Sequence, residues 1–282
     1  MRLFLPLAIL LLLAFSTFAD DTVVNDGGNG PEPLNVEAGQ EGPVQMVSEE
    51  LEFHFNSKRT TVIARFHFLN TTKPKLHLTI GFPDPGAVLH GDGAAFQPAL
   101  EDLKTFVDGI ERPSKVEYGW VRWGDNHAGW IPAKDQLHGG FQMAWHTLDL
   151  FFPFQQETVV ERRYTSKDGN RNDGFYFFEY IVHTGSAWKG NIGKLTARVI
   201  MDGGVTVDDL RWIPSNENRS DGLVMLPKKS EWKIVSPTEM TLEWNDFKPS
   251  KDPGKRYVRL ITRDKERDRE WEEYRKQHPN GP

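Results

Sequence analysis

Apolar and polar residues alternate with a period of two along a series of short segments that starts near Val44. In the first segment Leu51, Phe53 and Phe55 are separated by polar residues, and residues 62–68 repeat the pattern after a short polar break. This alternation is typical of β-strands that bury one face and expose the other. We therefore expect the two segments to form an antiparallel hairpin.

The alternation continues through most of the chain. Residues 76–80 follow a turn at 70–74 and are expected to pair with residues 62–68, and the Asp108-Gly109 pair indicates another hairpin. Further strand-like segments are residues 145–154, 158–164, 175–182, 194–201, 223–225, 232–235, 240–244 and 257–261. Short strands separated by turn residues predict an all-β fold, an antiparallel β-sandwich with a short C-terminal helix, built as one large sandwich or two adjoining ones.

Composition divides the chain into five predicted parts. They are a signal peptide at 1–19, a flexible acidic linker at 20–43, a β-sandwich half with an aromatic insertion at 44–166, a second β-sandwich half at 167–262, and a charged helical tail at 263–282. The apolar run after Arg2 is shorter than the ~20 residues that a membrane-spanning helix needs. We therefore expect the signal peptide to be cleaved and the mature chain to be soluble, secreted or periplasmic, without a membrane span.

Composition also excludes several classes of function. The 282-residue chain contains no cysteine, so catalytic thiols, thiolate metal sites and disulfides are ruled out. Its formal net charge of −6 provides no basic field for nucleic acid or anionic lipid. The sequence motifs of serine hydrolases, zinc peptidases, phosphate loops and dinucleotide-binding folds are missing, which counts only modestly against an enzyme.

Four aromatic residues interleave with Gly, Asp, Asn and His in the segment YGWVRWGDNHAGW. They are Tyr118, Trp120, Trp123 and Trp130. Flat rings stack on sugar faces while amides and carboxylates bind hydroxyl groups, so the segment is a candidate ligand-stacking loop. The alternative is that these rings seal one end of the sandwich.

A second candidate site is a calcium loop. Asp168, Asn170, Asn172 and Glu179 occupy positions one, three, five and twelve of a loop whose oxygens can converge on a hard cation. Position six, where such loops have glycine, is Asp173, and the residues after the loop resemble a strand. A polar hairpin turn in which Asn and Asp bond their own backbone is the favoured alternative, so calcium is a weak candidate and no other cofactor is expected.

Three histidines lie on the polar faces of the first predicted strands. Since His54 would lie about 17 Å along the sheet from His67 at 3.4 Å per residue, the three cannot share one zinc ion. We expect His67 and His77 to form a surface pair across neighbouring strands instead.

The segment TGSAWKGNIG at 184–193 separates two strand-like runs and has glycine at three positions. Glycine allows a positive φ or a close approach of backbone. One large ring, Trp188, and one aliphatic side chain, Ile192, stand between the glycines. This composition favours a loop that folds back over the core, with these two side chains as structural plugs.

Four stretches carry a resemblance to a known family. MVSEELEF from Met46, RFHFLNTT, IGFPDPG from Ile80, and YIVHTGSAWKGNIG from Tyr180 occur in this order. Together they look like the exported bacterial family called domain of unknown function 4424, over residues 44–261. The resemblance implies an exported β-rich protein and supplies no catalytic residues.

The function expected from these observations is a non-catalytic binding or interaction module at the cell envelope, with a glycan or an envelope protein as partner. The alternative is a hydrolase acting on polysaccharide or peptidoglycan. Such an enzyme needs two carboxylates about 5 to 10 Å apart across a cleft. Its candidate acids near the aromatic segment are Asp84, Asp92, Asp125 and Asp149.

Overall fold

The computed structural model describes residues 30–34, 41–56, 58–84, 100–122, 131–132, 140–167, 169–171, 175–212, 228–255, 257–263 and 265–278. The strands in these ranges are Glu32–Pro33 (β1), Val44–Phe55 (β2), Arg59–Asn70 (β3), Lys75–Asp84 (β4), Leu100–Val107 (β5), Ile110–Glu111 (β6), Lys115–Arg122 (β7), Ile131–Pro132 (β8), Gly140–Pro153 (β9), Glu157–Lys167 (β10), Gly169–Arg171 (β11), Phe175–Ile181 (β12), Ile192–Met201 (β13), Trp232–Ser236 (β14), Glu239–Phe247 (β15) and Tyr257–Arg263 (β16). Short 3-10 helices span His183–Ala187, Val207–Asp209, Lys229–Glu231 and Pro253–Lys255, and one α-helix spans Lys265–Gln277 (α1).

The strands form three sheets. An eight-stranded sheet has the order β14-β15-β13-β2-β3-β10-β5-β6, a five-stranded sheet has the order β1-β4-β9-β7-β8, and a three-stranded sheet has the order β11-β12-β16. Neighbouring strands are antiparallel except β2 and β13, which run parallel. The predicted all-β class and the C-terminal helix are therefore confirmed.

The core lies between the eight-stranded sheet and the two smaller sheets, which cover the same face of it. Phe66 of β3 contacts Phe82 of the five-stranded sheet with ring centroids 5.9 Å apart. Phe53 of β2 contacts Phe178 of the three-stranded sheet at 5.0 Å. All four rings are buried. Burial of such side chains, roughly 1.5 to 3 kcal/mol each, is the main force that holds the layers together.

Two predicted hairpins are confirmed. β2 and β3 pair along their whole length. β5 and β6 are joined by Asp108 and Gly109, whose φ angles are 49° and 79°. Two successive residues with positive φ form the turn type whose twist matches that of the flanking strands.

The predicted pairing of residues 76–80 with residues 62–68 is wrong. These residues lie in β4, which pairs with β9 in the five-stranded sheet. The Asn70 side chain holds the crossing between sheets: it accepts a hydrogen bond from the Thr72 N–H at 2.9 Å and donates one to the Phe152 carbonyl at 2.8 Å. Alternation predicts a strand but does not reveal which sheet the strand joins.

The eight-stranded sheet contains strands from both predicted sandwich halves. β13, from the second half, lies beside β2 of the first half, with Ala197 next to Leu51. β10 of the first half and β15 of the second belong to the same sheet.

Part of the predicted flexible linker is ordered. Residues 30–33 are buried, and β1 adds to the edge of the five-stranded sheet beside β4. The Gly30 N–H donates to the Ile181 carbonyl at 3.2 Å, and the Trp188 indole N–H donates to the Pro31 carbonyl at 2.7 Å. For these residues the linker prediction is wrong, because backbone hydrogen bonds to three separate elements compensate for a sequence poor in apolar side chains.

The helix α1 is tied to the body by an ion pair at its start, where the Lys265 ammonium lies 2.8 Å from an Asp209 carboxylate oxygen. Trp271 and Tyr274 contact each other but are 52% and 40% exposed. The helix therefore presents this aromatic pair largely to solvent. No helix in the described ranges is long and apolar enough to cross a bilayer.

A β-bulge in β2 shapes the centre of the largest sheet. Its register shifts between Met46 and Ser48, which leaves Val47 as an extra residue. The neighbouring strand has Gly193 at this point, and a Cβ added to Gly193 would lie 2.5 Å from the Val47 carbonyl oxygen. Glycine is therefore required in β13 because the bulged backbone approaches it too closely for any side chain.

We expect Gly193→Ala to lower the free energy of unfolding by about 1 to 3 kcal/mol, the usual cost of forcing extra volume into a packed site. Urea unfolding followed by tryptophan fluorescence measures this loss. Gly254→Ala is the matched control, because no atom lies within 4 Å of the Cβ that Gly254 would gain. The control should change stability by less than about 0.5 kcal/mol. Equal effects of the two substitutions would contradict the role assigned to the bulge.

Candidate functional site

The inner face of the eight-stranded sheet carries a buried arginine. Arg162 of β10 lies next to Ala64 of β3 on one side and Thr105 of β5 on the other. Residues paired in this way point to the same face of a sheet. Arg162 is only 1% exposed, and Thr105 is buried as well.

The Arg162 guanidinium stacks on an aromatic ring and lacks hydrogen-bond acceptors. Its central carbon lies 3.9 Å from the centroid of Phe82 and 5.7 Å from that of Tyr164. Within the described part of the chain, none of its three nitrogens has a hydrogen-bond partner, and neither does the Tyr164 hydroxyl or the Thr105 hydroxyl. Three neighbouring buried groups with donor hydrogens are thus left unsatisfied, which costs free energy unless something binds them.

The five-stranded sheet contributes an acid and a histidine to the opposite wall. Asp84, fully buried, lies on the same face of β4 as Phe82, and His146 lies opposite Phe82 on β9. The His146 Nε2 is 3.3 Å from an Asp84 carboxylate oxygen. Burial lowers the pKa of Arg162 to about 10, and Asp84 is close enough to oppose this effect. The guanidinium therefore remains charged at neutral pH beside an acid that does not bond it.

A buried glutamate lies in the same region. The bulge in β2 turns Glu49 inward, and the Tyr180 hydroxyl donates a hydrogen bond to it at 2.9 Å. Burial raises the pKa of Glu49 to about 8, against the effect of this hydrogen bond. Burial also raises the pKa of Tyr164. The charge of Arg162 lowers this pKa and the charges of Glu49 and Asp84 raise it, so the four groups lie close together. Glu49 is therefore protonated at neutral pH.

The inner face reaches solvent at β7. Val116 and Tyr118 pair with His146 and Ala144, so they lie on the inner face, but they are 53% and 45% exposed. Exposure thus rises from Arg162 outward through His146, whose side chain is 13% exposed, to β7. We call this stretch of the inner face, which runs from the buried polar groups at Arg162 through His146 to the exposed side chains of β7, the cleft.

The predicted stacking residues meet this cleft only in part. Tyr118 lies at its mouth, and the backbone of Trp120 follows two residues later in β7. Trp123 and Trp130 lie outside the described residues. The sequence patterns did not predict Arg162, Thr105 or Glu49 as site residues.

The predicted plug residues are both core residues. Trp188 and Ile192 are each 1% exposed, and the Trp188 ring lies 4.4 Å from Phe68. The buried Lys248, which the sequence did not reveal as important, donates hydrogen bonds from its ammonium to the carbonyls of Trp188 at 3.1 Å and Gly190 at 2.8 Å. The segment 184–193 is therefore built as a structural cover, with a lysine that satisfies its backbone.

The calcium-loop residues lie partly outside the described part of the chain, which omits Asp168 and Asn172. Asn170 of β11 pairs with Tyr176, three residues from Glu179 and thus about 10 Å along the strand. The Glu179 carboxylate bonds the Arg259 guanidinium. The described residues contain no group of three or more His, Cys, Asp or Glu placed to hold a metal ion, and calcium binding stays a prediction.

The predicted pairing of His67 with His77 is wrong, because β3 and β4 belong to different sheets. His67 bonds Glu157 at 2.8 Å, and the His77 ring packs on Phe151 with centroids 4.8 Å apart. His54 bonds Glu52 at 3.0 Å. Each histidine therefore has its own surface partner.

Two of the four candidate hydrolase acids fall within the described residues. Asp84 points inward, whereas Asp149 pairs with Thr79 on the outer face of the same sheet and accepts a hydrogen bond from its hydroxyl at 2.6 Å. These two carboxylates lie on opposite faces and do not form a catalytic pair. Asp92 and Asp125 lie outside the described residues.

Comparison with known proteins identifies the fold. A proposed nutrient-binding protein from Legionella pneumophila matches with a TM-score of 0.60 at 17% identity, over 83% of this chain and 70% of that chain. At this identity the likeness shows the fold alone. No protein-family model and no curated protein matches the sequence, so the resemblance to domain of unknown function 4424 stays a prediction.

Two peptidases match more weakly. They are an M1 zinc metallopeptidase from Deinococcus radiodurans, with a TM-score of 0.27 at 10% identity over 73% of this chain and 39% of that chain, and the aminopeptidase A of Legionella pneumophila, with a TM-score of 0.32 at 12% identity over 83% and 23%. The chain spans less than half the length of either enzyme. Scores this low say nothing about the activity of the chain.

We expect the free energy of unfolding to fall between pH 4.5 and pH 8. Over this range the unfolded chain releases the Glu49 proton, because the ordinary pKa is 4.5, while the folded chain retains it up to about pH 8. One such carboxyl lowers stability by at most about 1.4 kcal/mol per pH unit. In Glu49→Gln, which keeps an acceptor for Tyr180, the decline should be shallower, as measured by urea unfolding at a series of pH values.

The matched control for this experiment is Glu50→Gln, on the exposed face of the same strand. It should retain the pH dependence of the wild type. Glu32, whose pKa burial also raises to about 8, should maintain part of the decline in both variants. A Glu49→Gln variant with the full wild-type pH dependence would show that Glu49 ionises normally in the folded protein.

Proposed function

We propose that the chain is a non-catalytic binding module of the cell envelope, and that its ligand enters the cleft between the five-stranded and eight-stranded sheets. The observation that carries this proposal is the unsatisfied group of donors at the inner end. Arg162, Tyr164 and Thr105 are all buried and lack acceptors among the described residues. A ligand that brings acceptors would offset the cost of burying them.

The shape of the cleft supports binding rather than turnover. A binding cleft needs an apolar wall with a few convergent polar groups. Phe82 and Tyr118 supply aromatic surface, and Arg162 supplies a fixed charge. The two described candidate acids of the hydrolase alternative, Asp84 and Asp149, lie on opposite faces. The Legionella neighbour is described as a proposed nutrient-binding protein, and a binding role here would agree with that description.

The proposed location rests on the N-terminal sequence. An apolar run after Arg2, followed by small residues, is typical of a signal peptide. The same location is what a resemblance to domain of unknown function 4424 implies. A secreted or periplasmic module would meet envelope glycans, nutrients and envelope proteins, and the aromatic residue Tyr118 at the cleft mouth suits a glycan or another flat ligand.

A thermal-shift screen of the chain against envelope glycans, amino acids and short peptides tests this proposal. A ligand present at a hundred times its Kd should raise Tm by about 5 to 10 °C, because it binds only the folded state. Tyr118→Ala should weaken binding about tenfold, as loss of an aromatic contact often does. Tyr274→Ala, at a similarly exposed tyrosine of α1, is the control and should leave affinity unchanged.

Two results would contradict the proposal. One is a ligand whose affinity survives both Tyr118→Ala and Arg162→Met, because such a ligand must bind elsewhere. The other is release of sugar or peptide products during incubation with a panel member, because this would show a hydrolase.

A further inference from the structure

We infer that the ligand carries a single carboxylate group, which binds Arg162 together with the hydroxyls of Tyr164 and Thr105. This inference rests on the proposed function and specifies the chemistry of the ligand. It starts from the type of groups that are unsatisfied. A guanidinium has only donors, and the two hydroxyls can donate as well, so the missing partner must be an acceptor.

The orientation of Arg162 favours a planar acceptor. Phe82 covers one face of the guanidinium at 3.9 Å. Stacking of this kind leaves the N–H groups, which lie in the guanidinium plane, free to point away from the ring. A carboxylate matches this fork with two parallel hydrogen bonds. The two hydroxyls belong to neighbours of Arg162: Thr105 pairs with it across strands, and Tyr164 lies two residues further along the same face of β10.

The charge of the cleft favours one negative charge over two. The inner end of the cleft is formed by Arg162, Tyr164, Thr105, Glu49, Asp84 and His146, and Arg162 is the one Lys or Arg side chain of this set. Asp84 is close enough to influence its charge. A dianionic phosphate would place a second negative charge near Asp84 without a further cation. The neutral Glu49 adds no positive charge either. A monocarboxylate pairs with Arg162 while adding one negative charge fewer near Asp84, so it meets weaker repulsion than a dianion.

The route to the cleft decides which part of the ligand is buried. Because exposure increases from Arg162 through His146 to Tyr118, the carboxylate is the buried end and the rest of the molecule points toward β7. Two classes of molecule present such a group: acidic sugars, and amino acids or peptides with a terminal carboxylate. Both classes provide the carboxylate that Arg162 would bind, and they differ in the part of the molecule that would contact Tyr118.

The test uses the NMR signal of the Arg162 side-chain Nε–H, which a hydrogen-bonded carboxylate shifts. The chain is titrated with sodium acetate, with acetamide as the neutral match, and with inorganic phosphate. Arg162→Lys identifies the signal by its loss. Arg163→Lys, at the exposed neighbour that bonds Glu161 on the outer face, is the matched control and should leave the acetate response intact.

Conservative variants keep the test valid if Arg162→Lys does not fold. Tyr164→Phe and Thr105→Val preserve the shape and remove one hydroxyl each. Each should weaken acetate binding about two- to tenfold, the range expected for loss of one hydrogen bond. Glucuronate with glucose as its match, and N-acetylalanine with its amide, then distinguish the two sources of the carboxylate.

A saturable acetate shift of the Arg162 signal, absent with acetamide and smaller with phosphate, would support the inference. A stronger response to phosphate would overturn the single-charge assignment. An Arg162 signal that none of the carboxylates moves would overturn the inference, even if the thermal-shift screen finds a neutral ligand, in which case the proposed function stands. If neither experiment finds a ligand, both the proposed function and this inference are wrong, and water alone bonds the donors.

Discussion

The extra residue in β2 determines which side chains face the core in the middle of the largest sheet. Before the bulge Val44 and Met46 point inward, and after it Glu49, Leu51 and the following odd-numbered residues do so. Without the shift, Glu49 would lie on the outer face with the other acids of this strand. The bulge also requires Gly193 in the neighbouring strand. The bulge at Val47 thus lies where β2 pairs in parallel with β13, and it also turns the polar side chain of Glu49 into the core.

Most of the strands could be predicted because alternation is a local property: a strand with one wet face must show it. The partners of the strands could not. Residues 76–80 alternate as the partner of β3 would, yet the Asn70 turn leads them into the other sheet. Similarly, residues 30–33 lack the large apolar side chains that predict order. They are ordered because carbonyls of the folded body and the Trp188 indole satisfy their backbone, and no sequence pattern reports such partners.

The residues of the candidate site could likewise be predicted only in part from the sequence. Tyr118 could be predicted as a candidate because aromatic residues next to glycine and amides are a recognisable composition. Arg162 was missed although a signal existed: it stands between Val160 and Tyr164, at the position of β10 where alternation calls for an apolar residue. A charge at such a position is an anomaly that deserves a functional hypothesis. Glu49 offered no comparable signal, because the bulge reverses the alternation just before it.

Two of the buried ionisable groups, Glu49 and Arg162, differ in whether the protein itself satisfies them. Glu49 is neutral at physiological pH and receives the Tyr180 hydrogen bond, so its burial is largely compensated within the protein. Arg162 stays charged and finds no acceptor among the described residues, although Asp84 is near. The Asp84 carboxylate bonds His146 and leaves the guanidinium unpaired. A purely structural arginine would be expected to bond its neighbouring acid, because a buried unpaired charge costs several kcal/mol. An arginine held apart from that acid is the feature on which the proposed binding of an external acceptor rests.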